Sequence, residues 1–122
     1  MNNLKNMRTY LAGAMDRVAD GGIGWRNAIT PMLQELKVSV INPCDKPIES
    51  AKEGPTTREI INYYKQTGQF SKIREEYGHI RNADLRCVDV SDFIIANINM
   101  NVHMCGSYEE ISTANRQKKP IL

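Results

Sequence analysis

Three side-chain types with acid–base or nucleophilic capacity stand out by their positions: Glu110, Asp84 and Tyr10. In "MCGSYEEISTA" (104–114), two adjacent glutamates follow a Gly-Ser pair at the expected start of a helix. At 100° per residue, Ile111 and Ala114 define the buried face. Glu110 then borders that face, and Glu109 points away from it into solvent. A carboxylate held ionised near a helix start is suited to attack a sugar carbon, as carboxylates do in retaining glycosidases. Spacing alone gives a simpler reading as well. Ser107 and Glu110 have the i, i+3 relation of a capping box, which needs no function.

Asp84 continues the stripe Ile73–Tyr77–Ile80 where another apolar residue is due. Burial of a carboxyl there would favour its neutral form and make it a proton donor. The alternative is a carboxylate that ends its helix by bonding to nearby amides. Tyr10, inside the first apolar run, reads as a core aromatic with a satisfied hydroxyl or as a partner for a catalytic group.

The elements that must position these residues follow from pattern. "RTYLAGAM" (8–15) is a buried strand, "KVSVINP" (37–43) a second and "DFIIANI" (92–98) a third. Between the first two, Trp25, Ile29, Leu33 and Leu36 recur at helical spacing, with Pro31 predicting a kink or a start later than Trp25. "CDKPIESAKEGP" is a long loop. Thr56 and Glu59 form a second potential capping box ahead of "REIINYYKQ". A further helix runs from about Ser71, and "KKPIL" begins another strand. Strands alternating with helices predict an α/β chain: a flavodoxin-like or Rossmann-like doubly wound parallel sheet in three layers. In such sheets ligands bind beyond the carboxyl ends of the strands, where strand order reverses. The loops after Met15, Pro43 and Ile98 therefore surround one crevice.

Composition limits the alternatives. The 122 residues make one domain, residues 1–122, with a net charge of +2, too small for an electrostatic nucleic-acid footprint. No apolar run approaches a membrane span, and the N-terminus lacks a signal-peptide core, so no nucleic-acid or membrane partner is expected. Three well-separated cysteines argue against a disulfide framework and for a reduced, cytoplasmic protein. No Cys-x-x-Cys or His-x-x-x-His spacing supports a metal, and "DGGIG" matches neither G-x-G-x-x-G nor a P-loop. No cofactor is expected. Arg17 is either a phosphate-holding residue or a solvated loop arginine.

Taken together, "YLAGAM", "INP", "ADL…SDFIIANI" and "GSYEEISTA" resemble, in order and approximate spacing, the nucleoside 2-deoxyribosyltransferase family. The last is similar to the family's G-[TS]-x-x-E-[LI]-x-x-A motif, which places the register on Glu110. The resemblance covers about Arg8 to Leu122. It implies that Glu110 attacks C1′ of a 2′-deoxynucleoside and forms a glycosyl-enzyme intermediate. By the same resemblance Tyr10 orients that carboxylate, Asp84 contacts the base and assists its protonation, and Asp92 is structural. Gly13, Met15, Arg17, Gly106 and Ser107 are the expected substrate-binding residues. Transfer of the sugar to another nucleobase, within nucleotide salvage, is the implied activity. The alternatives are hydrolysis of a deoxynucleoside 5′-monophosphate and a nucleotide-binding module without turnover.

Two departures from the family pattern bear on that choice. Met104 stands where transferases often carry an acidic residue and where related hydrolases place a small hydroxyl residue. The family also continues past "KPIL" with more sheet and a C-terminal segment, so the expectation is a shortened chain or an edge covered by a neighbouring subunit. A homo-oligomer is expected on that ground, and because Tyr63 and Tyr64 cannot both face one core.

Overall fold

The computed structural model describes residues 1–15, 17–46 and 55–122. Strand β1 (Arg8–Gly13) lies at the centre of a three-stranded parallel sheet, with β2 (Ser39–Ile41) on one side and β3 (Phe93–Asn97) on the other. A strand flanked and covered on both faces should be apolar throughout instead of alternating. β1 nearly is: every residue after Arg8 is buried, and the polar Thr9 satisfies its hydroxyl by donating to the Phe93 carbonyl at 3.1 Å. Successive side chains go to opposite faces. Tyr10, Ala12 and Ile94 pack with Val88 and Ala114, while Leu11 and Phe93 pack with Leu33 and Val38. Helix α1 (Ile23–Glu35) covers the second face; α3 (Phe70–Val90) and α4 (Cys105–Arg116) cover the first. The result is the three-layer α/β arrangement expected from the strand–helix alternation.

The strands are shorter than the apolar runs that contain them, because pairing ends where the neighbouring strand ends: Arg8 to Tyr10 pair with β2, Thr9 to Gly13 with β3. Asp92 ties the start of this register. Its carboxylate accepts from the Arg8 amide at 2.7 Å, and its own amide donates to the Arg8 carbonyl at 2.8 Å. Beyond β3, the Leu122 amide donates to the Ile94 carbonyl and the Ala96 amide to the Leu122 carbonyl, so "KKPIL" does add a parallel bridge through Ile121.

Helix boundaries depart from the sequence reading in three places. α1 begins at Ile23, ahead of Trp25, and runs through Pro31. Pro31 sits on the exposed side, where water serves the carbonyl that its missing N–H leaves unpaired. The start of α1 is organised by Asp20, whose carboxylate accepts from the amides of Gly22 (2.9 Å) and Gly24 (3.0 Å). Helix α2 (Pro55–Gln66) opens with proline at its first position, so Thr56 lies within the first turn and is not the cap. α4 starts at Cys105, with Met104 as N-cap and no side-chain cap bond. The Ser107–Glu110 capping box therefore does not form. Ser107 is already inside the helix, and Glu110 has other partners. The middle of the long loop, residues 47–54, lies outside the described residues, but its start does not: Pro43–Asp45 form one 3-10 turn, followed by Lys46.

Candidate active site

Strand order reverses at β1, since the chain moves first to one neighbour and then to the other. At the carboxyl ends of β1 and β3 lies a cavity of about 500 Å³, within the range typical of small-molecule sites. All eight residues singled out in the sequence line it: Tyr10, Gly13, Met15, Arg17, Asp84, Gly106, Ser107 and Glu110. Arg17 is exposed. Gly13 is the last residue of β1, and a Cβ there would meet Trp25 at 2.8 Å and the Asn97 carbonyl at 3.2 Å. Close packing of strand on helix requires glycine at that point.

Glu110 is 5% exposed. Its Oε1 accepts from the Tyr10 hydroxyl at 2.9 Å and from Arg81 Nη1 at 3.1 Å. Burial and the nearby Asp84 carboxylate push the Glu110 carboxyl above the usual glutamate range, against the pull of Arg81 and of the Tyr10 bond. Burial, together with Glu110 and Asp84, raises the Tyr10 phenol well above its ordinary value, so Tyr10 remains a hydrogen-bond donor. The tyrosine is thus both a core aromatic and the partner of the carboxylate.

Asp84 lies on the buried face of α3, as the interrupted apolar stripe predicts, but the helix continues past it to Val90. It is not a solitary buried carboxyl. Lys46 Nζ donates to its Oδ1 at 2.7 Å, with side-chain exposures of 1% and 5% for the two residues. The turn after β2 therefore delivers a cation beneath the cavity, in contact with the buried carboxyl group of Asp84. Asp84 Oδ2 also lies 3.6 Å from Arg81 Nη1.

Three basic residues escaped the sequence reading: Arg81, Lys46 and Arg26. Arg81 had a detectable signal, since it precedes Asp84 by three positions and shares its side of the helix. Arg26 is 1% exposed. Its guanidinium donates to the carbonyls of Leu11 (3.2 Å), Gly13 (3.0 Å) and Gly22 (2.8 Å), and lies over the Trp25 ring at 4.7 Å. It thereby pins both ends of the loop that follows β1. Gly22 closes this loop at φ +80°, where a Cβ would run into the Ala14 carbonyl and the Arg26 guanidinium.

Met104 is buried at the rim, its sulfur accepting from the Asn99 amide at 3.3 Å. His103 and Cys105 also line the cavity. Among the described residues, no group of three or more His, Cys, Asp or Glu side chains could hold a metal ion, the cysteines are all unbridged, and no helix is long and apolar enough to cross a membrane.

No protein-family model matches the sequence, and no curated protein sequence matches it. Among solved structures, the 2-desoxiribosyltransferase from Leishmania mexicana superposes with a TM-score of 0.60 at 19% sequence identity. The match covers 95% of this chain and 62% of that one, so the chain spans less than two thirds of the length of this structural relative. The likeness is one of fold: a parallel α/β sheet covered by helices, the fold class expected from the alternation of strands and helices.

Proposed function

We propose that this chain cleaves the N-glycosidic bond of a 2′-deoxynucleoside and transfers the deoxyribosyl group to another nucleobase. The observation that supports it most is the 2.9 Å bond between the Tyr10 hydroxyl and Glu110 Oε1, inside the cavity at the reversal of strand order. Both donors to Glu110 converge on Oε1, which leaves Oε2 for attack on C1′. As the Oε2–C1′ bond forms, the C1′–N bond breaks, and its electron pair leaves with the base. Asp84 passes a proton to the leaving nitrogen and is refilled by the Lys46 ammonium that donates to it at 2.7 Å, which leaves Lys46 as the neutral amine. A second base then attacks C1′, releases the Glu110 carboxylate and returns a proton through Asp84. Gly13, Met15, Arg17, Gly106 and Ser107 border the substrate. The working unit is a homo-oligomer in the cytoplasm, with Tyr63 (57% exposed) available for a subunit contact.

The test is incubation with deoxynucleosides and deoxynucleoside monophosphates, with and without a second free base, followed by chromatography. A new nucleoside supports transfer. Free base alone replaces transfer with hydrolysis. Unchanged substrate in every arm refutes turnover and leaves a binding module. Sedimentation over a dilution series tests assembly, and an active species at the 13.8 kDa monomer mass overturns it.

A further inference from the structure

Two adjacent glutamates at one helix start raise the question of what the second one does. Neighbouring positions on a helix project about 100° apart, so Glu109 and Glu110 do not share a face. A guanidinium fork from another helix spans them. Arg81 Nη2 donates to Glu109 Oε2 at 2.7 Å, and Nη1 to Glu110 Oε1 at 3.1 Å. Nη2 also lies 3.4 Å from the Gly106 carbonyl. A Cβ on Gly106 would sit 3.2 Å from Arg81 Nη1, so this glycine leaves room for the guanidinium against the first turn of α4. Exposure grades across the bridge: Glu109 is 56% exposed, Arg81 20% and Glu110 6% by side chain.

We propose that Arg81 is a positioning residue, anchored at the surface by Glu109, that clamps the Glu110 carboxylate against Tyr10 in the geometry for attack. The inference rests on the reading of Glu110 as nucleophile. Charge supports it. Burial and Asp84 both oppose the anionic form of Glu110, while Arg81 and Tyr10 favour it. Burial also works against charge on Arg81 itself, but the two glutamates hold it more firmly cationic than an ordinary arginine. The groups facing Glu110 are Tyr10 from β1, Arg81, Asp84 and Cys87 from α3, and Glu109 from its own helix. Lys46 stands behind Asp84, Arg26 behind Tyr10, and His103 borders the same cavity. Of these, Arg81 is the cation in contact with the carboxylate.

The test uses the full chain carrying Arg81→Met, Arg81→Lys or Glu109→Gln. Two quantities are measured: the titration of the Glu110 carboxyl by 13C NMR without substrate, and the pH dependence of kcat/KM for deoxynucleoside cleavage. Arg81→Met is expected to move both upward in pH together. Its rate should fall about tenfold on the acid side and return toward the wild-type plateau at alkaline pH. Arg81→Lys should recover part of the shift, and Glu109→Gln should reproduce a smaller one, because only the anchor is lost. Should Arg81→Met not fold, the lysine and Glu109 variants decide by the same two measurements. An unmoved Glu110 titration, with activity lost equally at every pH, overturns the clamp. If wild-type protein cleaves nothing, the functional reading falls, and the NMR titration alone decides whether Arg81 governs Glu110.

Discussion

Replacing Glu110 with glutamine should separate stability from turnover and move them in opposite directions. The glutamine carbonyl can take the place of Oε1 and keep accepting from Tyr10 and Arg81. What it loses is charge assistance. The Tyr10 bond falls from the roughly 1.5–3 kcal/mol of a bond to an ion to about 1 kcal/mol, while the Arg81 bond keeps the guanidinium charge and loses the ion pairing, so the two together forfeit roughly 2 kcal/mol. What it gains is relief from burying a carboxylate beside Asp84, a cost of several kcal/mol per ion. The raised Glu110 titration says that the penalties exceed the attractions. Arg81 is not stranded, since Glu109 and Asp84 remain beside it. Near pH 8 the variant should therefore match wild type or exceed it by about 1–2 kcal/mol, with turnover lost by orders of magnitude.

The pH dependence fixes the sign. A carboxyl whose folded titration is raised binds its proton more tightly in the folded state. Its contribution to stability is fully present below the unfolded value and is lost as pH rises through the folded one. Wild type should thus weaken relative to Glu110→Gln across the window that opens near the ordinary glutamate value, after which the difference should level off. Urea unfolding of both proteins from pH 4.5 to 8 measures it. A glutamine variant less stable by 2 kcal/mol at pH 8, or a difference that does not vary with pH, refutes the reasoning.

Five further substitutions, at four positions, probe the frame around the site. Gly22→Ala forces a side chain into left-handed backbone and into the Arg26 guanidinium, and should cost more than about 2 kcal/mol in thermal or urea unfolding. Arg26→Met leaves the Leu11, Gly13 and Gly22 carbonyls without their donor and should cost about 3 kcal/mol or more. Arg26→Lys should recover little of this, since one ammonium does not reproduce the fork. Breaking the buried Lys46–Asp84 pair with Lys46→Met should cost about 3 kcal/mol, and adding Asp84→Leu should recover part of it. Additive losses in that double-mutant cycle would show the two residues to be uncoupled.

What could be read from the chain depended on how local the signal was. The stripe Ile73–Tyr77–Ile80–Asp84 is a period within one helix, and the buried face of α3 follows it. The same wheel put Glu110 beside Ala114, and burial of both follows. The start of α4 was misplaced for the complementary reason. A capping box is a local preference, and here it yields to Tyr10 and Arg81, which reach Glu110 from 100 and 29 residues away. Arg26, Lys46 and Arg81 were missed because a basic residue in a sequence looks like surface. Nothing local shows that backbone carbonyls or a buried carboxylate wait for it elsewhere in the fold.

The parallel sheet also has a kinetic consequence. The central strand is the first to be made, yet one of its two neighbours lies 84 residues downstream, as the Thr9 and Arg8 contacts with Phe93 and Asp92 show. Its residues on the face that α3 and α4 cover, Tyr10 and Ala12, stay without their final partners until α3, β3 and α4 have been synthesised. Closing a loop of that length is entropically costly before any contact rewards it, which slows folding relative to a chain of local contacts. The bond from Tyr10 to Glu110 spans still more chain. Assembly of the cavity thus waits for closure of the sheet, and chains halted before α4 hold an exposed apolar strand open to aggregation or to capture by a chaperone.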